Sequence, residues 1–248
     1  MSQPTFVTDE PFSAHTSVTL GEEHAHHMRV RRLATGTGIV LLDGAGMRGT
    51  GVITQLAKRH ATVRVESVER VDAVAAIHLL LPVADRERML WLAEKATELQ
   101  VASWRPVMYR RSKDVSPRGE GPTFQQKVRA RMRSALEQSG GAWLPAMFPD
   151  ATVEHAIAAR ADGVALVLDA GATGVLDVVM PLMGAWPSVT IAVGPEGGFA
   201  AAELSALTGA GFQPVSIGQS ILRFETAAVA GIAAVRAALD QRQPAPAE

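Results

Sequence analysis

From residue 76 onward the chain alternates short apolar runs with segments of helical period. That alternation confines it to a narrow set of folds. Residues 76–83, 104–109, 163–169 and 189–193 read as buried strands, and residues 86–99, 124–139, 153–160, 200–207 and 225–239 as helices. Alternation of this kind predicts an α/β domain on a mostly parallel sheet. Residues 1–72 read differently. Runs at 38–43, 49–56 and 61–68 have the period of strands, Gly44-Ala45-Gly46 is a turn, and residues 22–33 form one helix. This predicts a small antiparallel barrel over 1–72, a boundary at Val71-Asp72-Ala73, and a second domain over 73–248. Residues 170–174 read as a loop, and residues 243–248 as a frayed tail.

Two glycine-bearing turns stand out in the second part. Gly194-Pro195-Glu196-Gly197-Gly198-Phe199 follows the apolar run 189–193, and Ser216-Ile217-Gly218-Gln219-Ser220-Ile221-Leu222-Arg223 precedes the last helix. Glycine lets backbone approach a ligand closely, and ligands of open α/β sheets sit at the carboxyl ends of strands. The spacing is neither a dinucleotide fingerprint nor a phosphate-binding loop of the Walker type. Either turn alone serves to reverse a chain; the pair, with Glu196 and Arg223 inside it, points to a cleft for one small molecule.

Charge is polarised along the chain. The net charge is −1, yet residues 150–248 carry −6 and residues 1–149 carry +5; nine basic and two acidic residues fall between 105 and 133. Such a distribution guides a polyanion to one face, or simply solvates a helix. The absence of cysteine excludes disulfides, zinc–thiolate sites and cysteine nucleophiles. The helix at 22–33 carries His24, His26 and His27. His26 and His27 diverge, and His24 and His27 share a face without a clear third ligand, so no metal is expected. Residues 1–12 have no secretory pattern and residues 227–235 are too short to span a bilayer, so a cytoplasmic protein is expected.

The two turns together, with Glu225-Thr226-Ala227 after them, resemble the C-terminal signature of the RsmE family, in the SPOUT superfamily of methyltransferases. The resemblance extends through His26, Arg29, Val30 and Arg32, through Lys95-Ala96-Thr97-Glu98-Leu99, and through Glu137-Gln138-Ser139 with Pro145. Four positions depart from the family pattern. Arg31 replaces an apolar residue, Gln100 a glycine, which predicts a different helix cap, Gly141 an arginine, and Phe224 a threonine.

The resemblance implies an RNA-binding PUA-like barrel followed by a domain with a trefoil knot, acting as a homodimer. It implies transfer of a methyl group from S-adenosylmethionine to N3 of a uridine in small-subunit (16S) rRNA. Leu168, Gly194, Pro195, Glu196, Gly197, Gly198, Ile217, Gly218, Ile221 and Leu222 would hold the cofactor. His26, Arg29, Arg32 and Arg111 would bind RNA. Arg223 would stabilise the anionic base, unless it serves only as a structural ion pair. A guanidinium cannot act as base, so Glu137, Glu196 and Glu225 are the candidates for removing the N3 proton. Phe224 is expected to cover the site or stack near the base, and Lys95 and Glu98 to form a structural ion pair. Methylation of a ribose 2′-hydroxyl, and RNA binding without catalysis, are the alternatives.

Overall fold

The computed structural model describes residues 3–112, 117–182 and 188–240. Lys113, part of the basic stretch, and the tail at 243–248 lie outside the described residues. The chain divides into two compact units. The first comprises residues 1–73 and 133–144, and the second residues 74–132 and 145–248.

The first unit contains β1 (Thr5–Val7), β2 (Ser17–Leu20), α1 (Glu22–Val30), β3 (Gly38–Leu42), β4 (Met47–Leu56) and β5 (Ala61–Arg70). They form a five-stranded sheet in the order β1-β3-β4-β5-β2. The expected antiparallel pairing holds except at β1, which pairs with β3 in parallel. Alternate residues of β5, Ala61, Val63 and Val65, join Phe6, Leu20, Met28, Ile39 and Ile53 in the core. The period of two along β5 produces this one-sided burial.

Helix α1 stops at Val30, three residues short of its sequence pattern. Arg32 adopts φ +57°; its N–H bonds to Arg29 O and that of Leu33 to Met28 O, both at 2.9 Å. This is a Schellman ending, and Leu33 packs beside Met28 in the core. Arg31 is therefore an exposed cap residue, and the buried helix face is Ala25 and Met28.

Residues 133–144 join this unit through specific bonds that a linear boundary does not anticipate. Arg133 Nη1 donates to both Asp9 carboxylate oxygens at 2.8 and 2.9 Å, and its Nη2 donates to Val7 O. Trp143 Nε1 donates to Val71 O at 3.0 Å. Gly44 and Gly46 both use positive φ, and a Cβ there would fall 2.6 Å from Leu144 and 2.3 Å from Trp143. Only glycine fits this turn.

The second unit contains β6 (Ala76–Pro82), α2 (Arg86–Glu98), β7 (Ser103–Val107), α3 (Pro122–Ser139, whose end from Arg133 belongs to the first unit), β8 (Ala146–Met147), α4 (Val153–Ala158), β9 (Val164–Gly174), α5 (Val175–Leu182), β10 (Ser188–Ala192), α6 (Ala201–Gly209), β11 (Gln213–Ser216) and α7 (Phe224–Asp240). Its six strands are all parallel, in the order β11-β9-β10-β6-β7-β8. Residues 170–174, expected to be a loop, continue strand β9. Its pairing with β11 jumps from Val167–Pro214 to Thr173–Val215, leaving Leu168 to Ala172 outside the ladder. A long irregularity of this kind re-aims side chains at a strand end.

Helix α2 does not take the different cap expected from Gln100. This residue adopts φ +56°, its N–H bonds to Thr97 O, and Val101 N–H bonds to Ala96 O. A Schellman ending thus survives with glutamine in the position glycine fills best. Arg236 of α7 then satisfies the helix end: its guanidinium donates to Ala75 O, Leu99 O and Gln100 O. Only 8% of Arg236 is exposed, and burial lowers its pKa.

Candidate active site

Strands β11, β9 and β10 are neighbours and run parallel, so their carboxyl ends lie along one edge. A cavity of about 420 Å³ opens there. That volume falls within the range that holds a cofactor-sized molecule. Its walls are Leu168, Asp169 and Ala170 after the ladder of β9 breaks, the turn 193–199 after β10, and residues 215–222 after β11. Leu204 of α6, and Phe224 and Ala227 from the first turns of α7, complete the lining.

Each wall is braced. Gly198 N–H bonds to Pro195 O at 2.8 Å, closing the first turn. Arg111 Nη1 donates to Gly197 O at 2.6 Å. A Cβ on Gly197 would lie 3.2 Å from Arg111 Cδ, so this glycine makes room for arginine as well as for a ligand. Glu203 of α6 accepts from the backbone N–H of Ala200 and of Arg110, at 2.8 and 2.6 Å. It ties the turn to the strand end beyond β7. Tyr109, fully buried there, packs edge-on against Phe199 with ring centroids 5.1 Å apart. Burial, reinforced by Glu203, pushes the Tyr109 hydroxyl pKa up. In the second turn, Ser216 Oγ donates to Gly218 O at 2.9 Å and accepts from Gly218 N–H at 3.2 Å.

Arg88, in the first turn of α2, links the first glycine turn to the start of α7. It forms an ion pair with Glu196 and lies 3.8 Å from a carboxylate oxygen of Glu225, while the other Glu225 oxygen is buried and, among the described residues, without a partner. No sequence pattern singled out Arg88, because its partners are 108 and 137 residues away. Asp169, Ala170, Val193, Phe199, Leu204, Val215, Ser220 and Ala227 were also missed. Asp169 was the most legible, as the polar residue directly after a buried run.

All ten residues expected to hold a cofactor line the cavity. Arg223 does not; it is exposed, and its backbone carbonyl accepts the Ala227 N–H at the start of α7. Among the described residues Arg223 has no carboxylate within ion-pair distance, which removes the structural pair offered as its alternative role. Phe224 is 2% exposed and forms part of the inner wall, so it is not a free ring awaiting a base.

The remaining candidates lie elsewhere. In the first unit His26 and Arg32 are exposed, and Arg29 Nη1 donates to Ala57 O at 3.3 Å. Glu137 accepts from Val7 N–H at 2.9 Å and lies 3.9 Å from His27 Nδ1, so this carboxylate is committed to the first unit. His24 Nε2 is 2.8 Å from Val7 O. Among the described residues no group of three or more His, Asp or Glu is placed to hold a metal. The Lys95 ammonium bonds to Glu94 and Glu98, each at 2.8 Å, and these bonds raise its pKa.

The family model of an RNA methyltransferase domain matches residues 72–236, and that of an RNA methyltransferase PUA domain matches residues 20–66. Over 240 residues the chain is 31% identical to ribosomal RNA small subunit methyltransferase E of Mycobacterium bovis, covering 93% of this chain and 89% of that one. The chain belongs to this methyltransferase family. Its Synechocystis relative of the same name is 28% identical over 90% of this chain and 74% of its own. The crystal structure of ribosomal RNA small subunit methyltransferase E from Neisseria gonorrhoeae, bound to S-adenosyl methionine, superposes with a TM-score of 0.85 at 28% identity, covering 95% of this chain and 98% of that one. The architecture is accordingly an N-terminal PUA-like domain and a C-terminal methyltransferase domain on a parallel sheet. Among the described residues no helix is long and apolar enough to cross a membrane.

Proposed function

We propose that this enzyme transfers the methyl group of S-adenosylmethionine to N3 of a uridine in 16S rRNA of the small ribosomal subunit. The observation that carries the reading is the 420 Å³ cavity at the ends of β9, β10 and β11, lined by all ten expected residues, in a family with a cofactor-bound relative. Leu168, Ile217, Ile221 and Leu222 give the adenosine an apolar slot. Gly194, Pro195, Glu196, Gly197, Gly198 and Gly218 offer backbone groups at close range. The cofactor supplies the electrophilic methyl group, and displacement at a sulfonium needs chiefly positioning.

Neutral N3 is a poor nucleophile, and removing its proton leaves negative charge shared with the adjacent carbonyls. Arg223 precedes α7, whose N-terminus adds partial positive charge, and the two together would stabilise that anion. Glu196 lines the cavity, but Arg88 pairs with it; Glu225 is the more buried, with 12% of its side chain exposed. Both remain candidate bases. His26, Arg29, Arg32 and Arg111 would contact RNA. Arg111 uses one N–H on Gly197 O and is otherwise exposed.

We extend the reading to a homodimer with a trefoil knot. Ile221 lines the cavity yet is 92% exposed, and Trp91 and Leu176 are large exposed apolar residues of the same unit; a partner subunit would cover such surface. Strand β10 lies between β9 and β6, which precede it in the chain, an order compatible with a knot. Single-turnover methylation of small ribosomal subunits tests the chemistry. Arg223→Ala should bind cofactor normally and transfer about 10²–10³ more slowly; a near-normal rate would remove Arg223 from catalysis.

A further inference from the structure

A second cavity, of about 600 Å³, lies wholly within the second unit, between the start of α3 and the chain after β8. Gln125, Arg129, Met147, Phe148 and Asp150 line it. We propose that it binds an unpaired guanine of the RNA, a base other than the methylated one. The inference rests on the reading of this chain as an RNA-modifying enzyme, which brings the RNA to it.

The apolar element is a stacking platform. Phe148 is 38% exposed and lines the cavity, and the Arg105 guanidinium lies 4.2 Å from its ring centroid. Arg105 is itself buried, 8% exposed, and among the described residues it has no carboxylate partner, so its charge rests on the Phe148 ring. That stack holds the ring in place. Unpaired bases are recognised by aromatic stacking together with hydrogen bonds to their edges.

The polar element selects the base. Asp150 accepts from Gln125 Nε2 at 3.0 Å, and Gly121 N–H lies 3.5 Å from its second oxygen. These bonds fix the carboxylate, and an ionised carboxylate keeps further acceptor sites. The Gln125 amide nitrogen is turned to Asp150, and its Oε1 is buried and, among the described residues, without a partner. The polar group the wall offers a ligand is therefore the acceptor-only Asp150 carboxylate. Guanine offers two adjacent donors, N1–H and the N2 amine, which one carboxylate accepts in parallel. Adenine and cytosine set a ring acceptor beside their amine, and uracil flanks its single N–H with two carbonyls; each would face the carboxylate with a lone pair. Arg129, exposed on the next turn of α3 and without an ion-pair partner among the described residues, supplies a cation for the adjoining phosphate.

The test uses the full chain and dye-labelled heptamers of uridine with guanosine, inosine or adenosine at the centre, followed by fluorescence anisotropy at fixed salt. The guanosine heptamer should bind about ten-fold more tightly than the adenosine one, and inosine, which lacks the N2 amine, should lose most of that advantage. Asp150→Asn should bring guanosine and adenosine within about two-fold. Phe148→Leu, which keeps an apolar side chain over the buried Arg105 and is checked for folding by circular dichroism, should weaken all three by about ten-fold while keeping their order. Equal binding of guanosine and adenosine heptamers by the wild type, or an undiminished preference in folded Asp150→Asn, would overturn the assignment. Calorimetry with S-adenosylmethionine on the same preparations reads the first cavity separately. Retained guanosine preference without cofactor binding would sink the methyltransferase reading and leave this one standing.

Discussion

The cavity makes different demands on its glycines, and a pair of substitutions separates them. An added Cβ at Gly218 meets nothing within 4 Å, and Gly218 does not use positive φ. Gly218→Val should therefore fold without strain. Losing glycine from the unfolded ensemble even favours the native state by about 0.4–1 kcal/mol. Gly218 lines the cavity and the new side chain meets no protein atom, so it is expected to intrude on a bound cofactor. Overpacking of this size costs about 1–3 kcal/mol, or roughly 5- to 150-fold in affinity at ten-fold per 1.4 kcal/mol. At Gly194 the same addition would fall 2.9 Å from the Phe199 ring, itself braced by Tyr109. Gly194→Ala should accordingly lower stability by about 1–3 kcal/mol, at about 2–4 °C in Tm per kcal/mol for a chain of this length. Calorimetric titration with S-adenosylmethionine and thermal unfolding read the two effects independently. Wild-type cofactor affinity in a folded Gly218→Val protein would refute the placement of the ligand. An unchanged Tm in Gly194→Ala would refute the packing argument at the first turn.

Two further outcomes are expected. Gln100→Gly relieves a left-handed residue at the end of α2 and should raise stability by about 1 kcal/mol, with no change in cofactor affinity; urea denaturation checks it, and a loss of stability would contradict the strain. Replacing Arg29 and Arg32 with alanine should weaken RNA binding and lower the slope of log K against log salt by about 0.7 for each phosphate no longer neutralised, leaving cofactor binding unchanged; an intact slope would place the RNA face elsewhere.

How far the sequence foretold these features depended on the range of the interactions involved. The strand at residues 189–193 and the glycine turn after it were legible because one buried run and three glycines within five residues specify them locally. So was the last helix, whose pattern placed it within one residue of α7. Strand β11 escaped notice, since Gln213–Ser216 is four residues with two exposed positions and is held only by pairing with β9. The same distant pairing turned residues 170–174 from an apparent loop into a strand. Helix α5 was hidden by its brevity and by Pro181. Arg133 reads as one more cation in a basic run, and only the fold brings Asp9 and the Val7 carbonyl to it. Arg88 and Glu203 escaped for the same reason, being braces whose partners lie far along the chain. Gln100 shows the reverse error: the residue type argued against a left-handed cap, and the packing of α2, with Arg236 holding its carbonyls, imposed one.

The central claim, methylation at N3 of a uridine in 16S rRNA, is tested most directly by mass spectrometry of nucleosides from purified 16S rRNA of cells with and without this gene. The account predicts that 3-methyluridine disappears on deletion, returns with the wild-type gene, and returns only in part with Gly218→Val. An unchanged 3-methyluridine signal in the deletion strain, or the loss of a 2′-O-methylated nucleoside in its place, would contradict it.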